Sequence, residues 1–254
     1  MSVRNVGPRP SFGRRLAAAA LVAGCLLAST GLGLPMAAAE PAAASWRITD
    51  WLQIAAGQLS AVVCSSTADC VAVGENAAET AAAVFRTTDG GTVWTQQAMP
   101  SGVGDLASLS CPTPEVCQAV GWGPQDKLGV AVRSTDAGAT WADQPMPAGT
   151  RPLVSVSCGD VSSCMALGYG FAGGPEYTYT TSTGGKSWTS RLLPTVAQDS
   201  AAVQCSSTVS CQLVGLGPAE GGPGVMRTSD DGASWSEETL PSVVGELDSI
   251  ACPT

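Results

Sequence analysis

Four tryptophans, Trp94, Trp141, Trp188 and Trp235, stand 47 residues apart without a single insertion or deletion. Two cysteine columns keep the same step: Cys64, Cys111, Cys158, Cys205 and Cys252, and then Cys70, Cys117, Cys164 and Cys211. Pro100, Pro147, Pro194 and Pro241 follow each tryptophan by six residues, and Gly74, Gly121, Gly168 and Gly215 follow each second cysteine by four. A fixed period of this length means one supersecondary unit repeated in register, and every local reading has to agree with it.

Within the unit, short runs alternate. Leu106-Ala107-Ser108-Leu109-Ser110-Cys111 and Leu153-Val154-Ser155-Val156-Ser157-Cys158 put a large apolar residue two before each cysteine and small ones on the other face, which is a strand pattern. Prolines and glycines at fixed phase punctuate the loops. No segment holds a 3.6-residue apolar period, so a helical solenoid is excluded. Each unit supplies about four strands with short turns, the module of a propeller blade, and the expected fold is an all-β propeller of four-stranded antiparallel blades. The strands are A, ending at the first cysteine; B, starting at the second; C, as in Val130 to Arg133; and D, expected to start at the tryptophan.

The turn between C and D carries the most specific motif. It reads Thr87-Thr88-Asp89-Gly90-Gly91-Thr92-Val93-Trp94, then Ser134-Thr135-Asp136-Ala137-Gly138-Ala139-Thr140-Trp141, and last Thr228-Ser229-Asp230-Asp231-Gly232-Ala233-Ser234-Trp235. This resembles the Asp box, Ser/Thr-x-Asp-x-Gly-x-x-Trp, of sialidase-like and photosystem II assembly factor-like propellers. The third copy, from Thr181 through Gly184, Gly185 and Lys186 to Trp188, has Thr183 where the Asp belongs. The chemistry of such a turn is structural: a short polar side chain accepts turn amides, glycine allows positive φ, and tryptophan fills the gap between layers. Calcium binding would need several convergent oxygens where each box supplies one carboxylate, so no metal is expected, and no cofactor.

Cys64/Cys70, Cys111/Cys117, Cys158/Cys164 and Cys205/Cys211 are all Cys-x5-Cys across the A–B turn. Behind an export signal such pairs read as disulfides, each contributing roughly 2 kcal/mol in the chain-entropy model. Zinc fails on this spacing and on the lack of any histidine.

That signal is residues 1–39. Arg4, Arg9, Arg14 and Arg15 precede an uncharged Ala/Leu-rich run that ends in Ala37-Ala38-Ala39, a small-x-small cleavage pattern, and Gly31, Gly33 and Pro35 divide the run against reading it as a membrane span. Val22-Ala23-Gly24-Cys25 resembles a bacterial lipobox, which would instead leave a lipid anchor on Cys25, although the apolar run continues past it. Arg14-Arg15 is a weak twin-arginine match. Residues 40–254 are the expected propeller, secreted or held at the cell surface. Loss of the four leader arginines from 12 basic residues leaves eight against 21 acidic ones, a net charge of −13. Such a surface repels phosphate backbones, so nucleic acid is not an expected partner, and the acidity suits solubility.

The resemblance assigns no activity, since function has to come from a site. In sialidases the resemblance implies an arginine triad on the substrate carboxylate, a Tyr–Glu nucleophile pair and an Asp acid/base. Trp46-Arg47-Ile48-Thr49 is similar to the Arg-Ile-Pro segment but lacks its proline, and its phase makes Arg47 a strand D residue. Arg86, Arg133 and Arg227 share one repeat column and read as blade packing; Tyr169, Tyr177 and Tyr179 have one acid nearby, Glu176. No catalytic residue is assigned. An up-and-down blade puts the A–B and C–D turns at one end, the turn end, and the varied B–C and D–A loops at the other, the loop end, where binding belongs. Trp122, Tyr169 and Phe171 are its aromatic contacts and Arg151 its one D–A loop arginine, for a glycan or protein ligand; an exo-acting glycosidase of the sialidase type is the alternative. The chain opens on a D strand at Trp46 and ends inside a fifth strand A at Cys252, and the expectation is an array that continues past residue 254.

Overall fold

The computed structural model of the chain describes residues 56–124, 128–170, 175–194, 198–216, 223–238, 240 and 247–251, all within one unit spanning 47–254. The signal segment, Cys25, Trp46, Arg47, Phe171 and Cys252 lie outside the described residues.

Among the described residues sixteen strands form four antiparallel four-stranded sheets in up-and-down order. The first blade is β1 (Ala56–Cys64), β2 (Cys70–Asn76), β3 (Ala82–Thr87) and β4 (Thr95–Gln97). The second is β5 (Asp105–Ser110), β6 (Cys117–Trp122), β7 (Gly129–Ser134) and β8 (Ala142–Asp143). The third is β9 (Leu153–Cys158), β10 (Cys164–Gly168), β11 (Tyr177–Thr181) and β12 (Thr189–Leu192). The fourth is β13 (Gln198–Cys205), β14 (Cys211–Leu216), β15 (Pro223–Thr228) and β16 (Ser236–Glu237). These are the four-stranded blades of a β-propeller.

Strands A, B and C stand where the repeat places them. Strand D does not start at the tryptophan but just after it, at Thr95, Ala142, Thr189 and Ser236. The physical reason is packing: the indole belongs to the turn and closes the joint to the preceding blade. Trp141 lies in the apolar cluster between blades one and two, Trp188 in that between two and three, and Trp235 against that between three and four. Trp141 and Trp188 are 8 % and 7 % exposed.

Period-2 alternation gives each sheet two apolar faces, one per neighbour. Val71, Val73 and Val84 of the first blade meet Leu106, Leu109, Ala119 and Val132 of the second. On the opposite face of the second, Val120 and Ala131 meet Leu153, Val156 and Ala166. Met165 and Leu167 then face Val203, Leu213 and Met226.

Each blade's innermost strand, A, is an edge whose inward N–H groups have no ladder partner, a cost if they are buried bare. Serines of the preceding blade meet them. Ser108 Oγ accepts the Val156 N–H at 3.1 Å and Ser110 Oγ the Cys158 N–H at 3.1 Å. One repeat later Ser155 Oγ accepts from Val203 at 3.1 Å and Ser157 Oγ from Cys205 at 2.8 Å. In β1 the same two positions are Ala61 and Val63, so the joint between blades one and two has no such latch.

Candidate functional site

The turn end repeats one set of hydrogen bonds in every blade. In each blade an amide of the C–D turn donates to a carbonyl of the A–B turn: Gly90 to Ala68 at 2.9 Å, Ala137 to Glu115 at 2.8 Å, Gly184 to Ser162 at 2.9 Å and Asp231 to Val209 at 3.0 Å. The A–B turn is closed by a disulfide in every blade, Cys64–Cys70, Cys111–Cys117, Cys158–Cys164 and Cys205–Cys211. The paired Cys residues stand opposite each other in the ladder, as Cys64 with Cys70.

The C–D turn is built by two short polar side chains. Ser134 Oγ accepts the Gly138 N–H at 2.8 Å and donates to Asp136 Oδ1 at 2.8 Å, while Asp136 Oδ1 accepts the Thr140 N–H at 2.8 Å. Thr87 with Asp89 and Thr228 with Asp230 repeat the arrangement around Gly91 and Gly232. Gly138, Gly185 and Gly232 have φ of 83°, 82° and 76°, the left-handed region that glycine tolerates without strain. Where the third blade has Thr183, its hydroxyl takes the carboxylate's place and accepts the Ser187 N–H at 3.1 Å. Hydrogen bonds from the Thr140 side chain first, and for Asp230 from the Ser234 side chain first, hold both carboxyls down at about 2. For Asp89 the Val93 amide is the main cause of a lowered value.

Of the arginine column, Arg133 reaches across a blade joint. Arg133 is partly desolvated, which lowers its pKa, and its Nη2 donates to the Val161 carbonyl in the A–B turn of the next blade at 2.6 Å. Beside it runs a buried chain across the same joint that the sequence reading missed. Gln118 Nε2 donates to Gln144 Oε1 at 2.9 Å, Trp188 Nε1 donates to that same oxygen at 3.1 Å, and Gln144 Nε2 donates to the Gly184 carbonyl at 3.1 Å. Gln118, in a column that reads Val71, Met165 and Gln212 in the other blades, was its one visible sign.

At the loop end backbone bonds link the segments that carry Trp122, Arg151 and Tyr169. Trp122, the last residue of β6 and half-buried, pairs with Gly129 in β7. Gly129 donates its N–H to the Thr150 carbonyl at 2.9 Å, and a Cβ at Gly129 would collide with the Arg151 carbonyl. Arg151 follows, half-buried, and its own N–H donates to Tyr179 Oη at 3.0 Å. Pro152 next accepts the Tyr169 N–H at 2.8 Å, and Tyr169 is half-buried. Gly168 lies under this loop, where a Cβ would meet the Tyr179 ring and stand 3.2 Å from Arg151 Cβ. The D–A loop that presents Arg151 is therefore seated on three strands of two blades.

Two residues weighed for sialidase chemistry, Glu176 and Tyr179, make hydrogen bonds within the frame. Glu176 is 5 % exposed and its carboxylate accepts the Ser200 N–H at 3.1 and 3.2 Å, tying blade three to blade four. Tyr179 is buried, which raises its pKa, and its oxygen supports Arg151; its ring lies 6.4 Å from that of Tyr177. An acid not singled out, Asp105, opens β5 opposite Trp122. Burial, with the Glu75 charge adding to it, pushes its carboxyl up to about 6, and its Oδ1 is buried without a hydrogen-bond partner. Among the described residues no helix is long and apolar enough to cross a membrane.

No protein-family model and no curated protein matches the chain. Solved structures do. The chain is similar to YCF48 bound to a D1 peptide, at 13 % identity and a TM-score of 0.43 over 71 % of this chain and 82 % of that one. It is similar to YCF48 from Cyanidioschyzon merolae, at 15 % and 0.48 over 73 % and 57 %, and to a GH74 xyloglucanase from Xanthomonas campestris, at 16 % and 0.47 over 68 % and 28 %. The matched region thus spans little more than half of the second and about a quarter of the third.

Proposed function

We propose that this chain is an exported, non-catalytic propeller that binds a carbohydrate or protein ligand at its loop end and acts as a scaffold. What supports the reading is the run Trp122, Gly129, Thr150, Arg151, Pro152, Tyr169, in which strand pairing and backbone hydrogen bonds link the segments that carry two half-buried aromatics and an arginine. A rigid frame presenting amphipathic rings and one guanidinium suits stacking on a sugar or anchoring a peptide side chain, with little ordering cost on binding. Phe171, in the same B–C loop by sequence, joins this set. Four disulfides suit the oxidising surroundings of an exported protein. The glycosidase alternative has less support, because Glu176 and Tyr179 serve blade-to-blade and loop-seating bonds.

The full chain, produced by export, is to be applied to a glycan array, a peptide array and a fluorogenic sialoside. The expectation is binding on one of the arrays, weakened in Trp122→Ala and Tyr169→Ala, and no turnover. Sialoside turnover that Arg47→Ala abolishes would overturn the non-catalytic reading. Binding indifferent to both aromatic changes would leave Trp122 and Tyr169 as blade packing.

A further inference from the structure

The buried chain across the joint between blades two and three ends in an unmet acceptor. Gln118 is 0 % exposed, and its Nε2 donates to the Val132 carbonyl at 3.0 Å and to Gln144 Oε1 at 2.9 Å. The amide cannot be turned over. Val132 offers a carbonyl, and Gln144 Oε1 already accepts the Trp188 indole N–H while Gln144 Nε2 donates to Gly184, so both groups that face Gln118 Nε2 are acceptors. Gln118 Oε1 is thereby fixed on the other side, shut off from solvent and with no protein donor. Opposite it in the β6–β7 ladder stands Arg133, whose Nη2 donates to the Val161 carbonyl at 2.6 Å and whose Nη1 is a buried donor with no protein acceptor. Residues directly opposite share a face of the sheet, with Cβ atoms about 5 Å apart. Both side chains reach toward blade three, so the spare acceptor and the spare donor lie in one joint.

A buried donor and a buried acceptor that do not bond each other are costly, and a molecule that accepts from one and donates to the other removes both costs. We infer that Gln118 Oε1 and Arg133 Nη1 form the binding site of a buried water, which accepts the Arg133 N–H and donates to Gln118. The pair selects water over an ion, since an anion would meet the amide oxygen and a cation the guanidinium. Packing beside the guanidinium leaves room: a methyl added at Gly184 would stand 3.5 Å from Arg133 Cζ and 3.7 Å from the Val161 carbonyl oxygen, in contact without overlap. The joints on either side have no such pair, with Val71 opposite Arg86 in the first blade and Met165 opposite Thr180 in the third. The water makes one continuous polar chain from Val161 through Arg133 and Gln118 to Gln144, Gly184 and Trp188. It ties the second blade to both turns of the third, and it does not depend on the ligand reading above.

The test is a high-resolution crystal structure of the wild-type full chain, with oxygen-17 relaxation dispersion counting its long-lived waters in solution. The crystal should show a water oxygen about 3 Å from both Gln118 Oε1 and Arg133 Nη1. Gln118→Met, the residue that the same column has in blade three, and Arg133→Met should each lose one long-lived water from the count. Should either variant fail to fold, the wild-type crystal decides by itself. A direct Gln118–Arg133 hydrogen bond, an ion at that position, or an unchanged count in both variants would overturn the inference.

Discussion

The two ends of the blades are made from the same repeat and have opposite economies of hydrogen bonding. At the turn end every blade repeats one solution: a disulfide, a Ser/Thr–Asp or Thr–Thr pair, a left-handed glycine and a bond from the C–D turn to the A–B turn. At the loop end the described bonds do not repeat in all four blades, and buried polar atoms without a partner occur at both ends, Trp235 Nε1 at the turn end and Asp105 Oδ1 at the loop end among them. The difference teaches where a repeat protein keeps its freedom. The periodic end ties its turns together by the same bonds in every blade, whereas the other end joins its loops by bonds that do not all recur from joint to joint.

The strongest way to break this contrast is to strain one glycine at each end. Gly185 has φ of 82° and a Cβ there would run into the Gln144 amide of the preceding blade, whereas Gly149 has φ of 75° with no atom within 4 Å of a Cβ. Gly185→Ala should lose about 3 kcal/mol, from left-handed strain plus overpacking, and Gly149→Ala about 1 kcal/mol, from strain alone. Denaturant midpoints measure both, and equal losses would mean the ends are equally constrained.

A smaller effect separates the blade joints. Ser157→Ala leaves the Cys205 N–H without its acceptor and should cost about 2 kcal/mol, the penalty for a buried donor left unmet. Val63→Ser offers the missing latch to the first joint and should recover about 1 kcal/mol at most. A Ser157→Ala protein as stable as wild type would mean that the latches are incidental.

Titration sharpens the contrast with the smallest effect, because its signs differ between the ends. Asp136 and Asp230 are held at about 2, below the ordinary 3.8, so the folded state binds protons less readily than the unfolded one. Their stabilisation is present above pH 4 and lost as pH falls through about 2. Asp105 is raised to about 6, so the folded state binds its proton more readily, and stability declines as pH rises from about 4 to 6. Asp105→Asn should remove that decline and leave the acid limb unchanged, as followed by urea midpoints across pH. An unchanged decline would place its origin elsewhere.

Most of the fold was legible because it is periodic. Trp94 to Trp235 and the cysteine pairs set the blade, the strand order and the turn end. The sequence cannot show by periodicity which neighbour a column touches. Ser108, Ser110, Ser155 and Ser157 were visible as the small face of strand A, but their partners lie 48 residues on, across a joint, at one residue off the repeat. The tryptophans were placed one residue too far into strand D because the column marks a position and not the direction of the indole. Loop-end support was harder still: Tyr179 under Arg151 and Glu176 on Ser200 are single events with no second copy to reveal them.

The most direct test of the division between the ends is a matched pair of truncations, Trp122→Ala at the loop end and Val93→Ala at the turn end, where Val93 is 60 % exposed. Each protein is titrated against the strongest glycan or peptide bound by the wild-type chain on the arrays. The account predicts that Trp122→Ala weakens binding at least about tenfold while Val93→Ala leaves it unchanged. Binding that Val93→Ala weakens and Trp122→Ala spares would contradict it, and would move the ligand to the turn end.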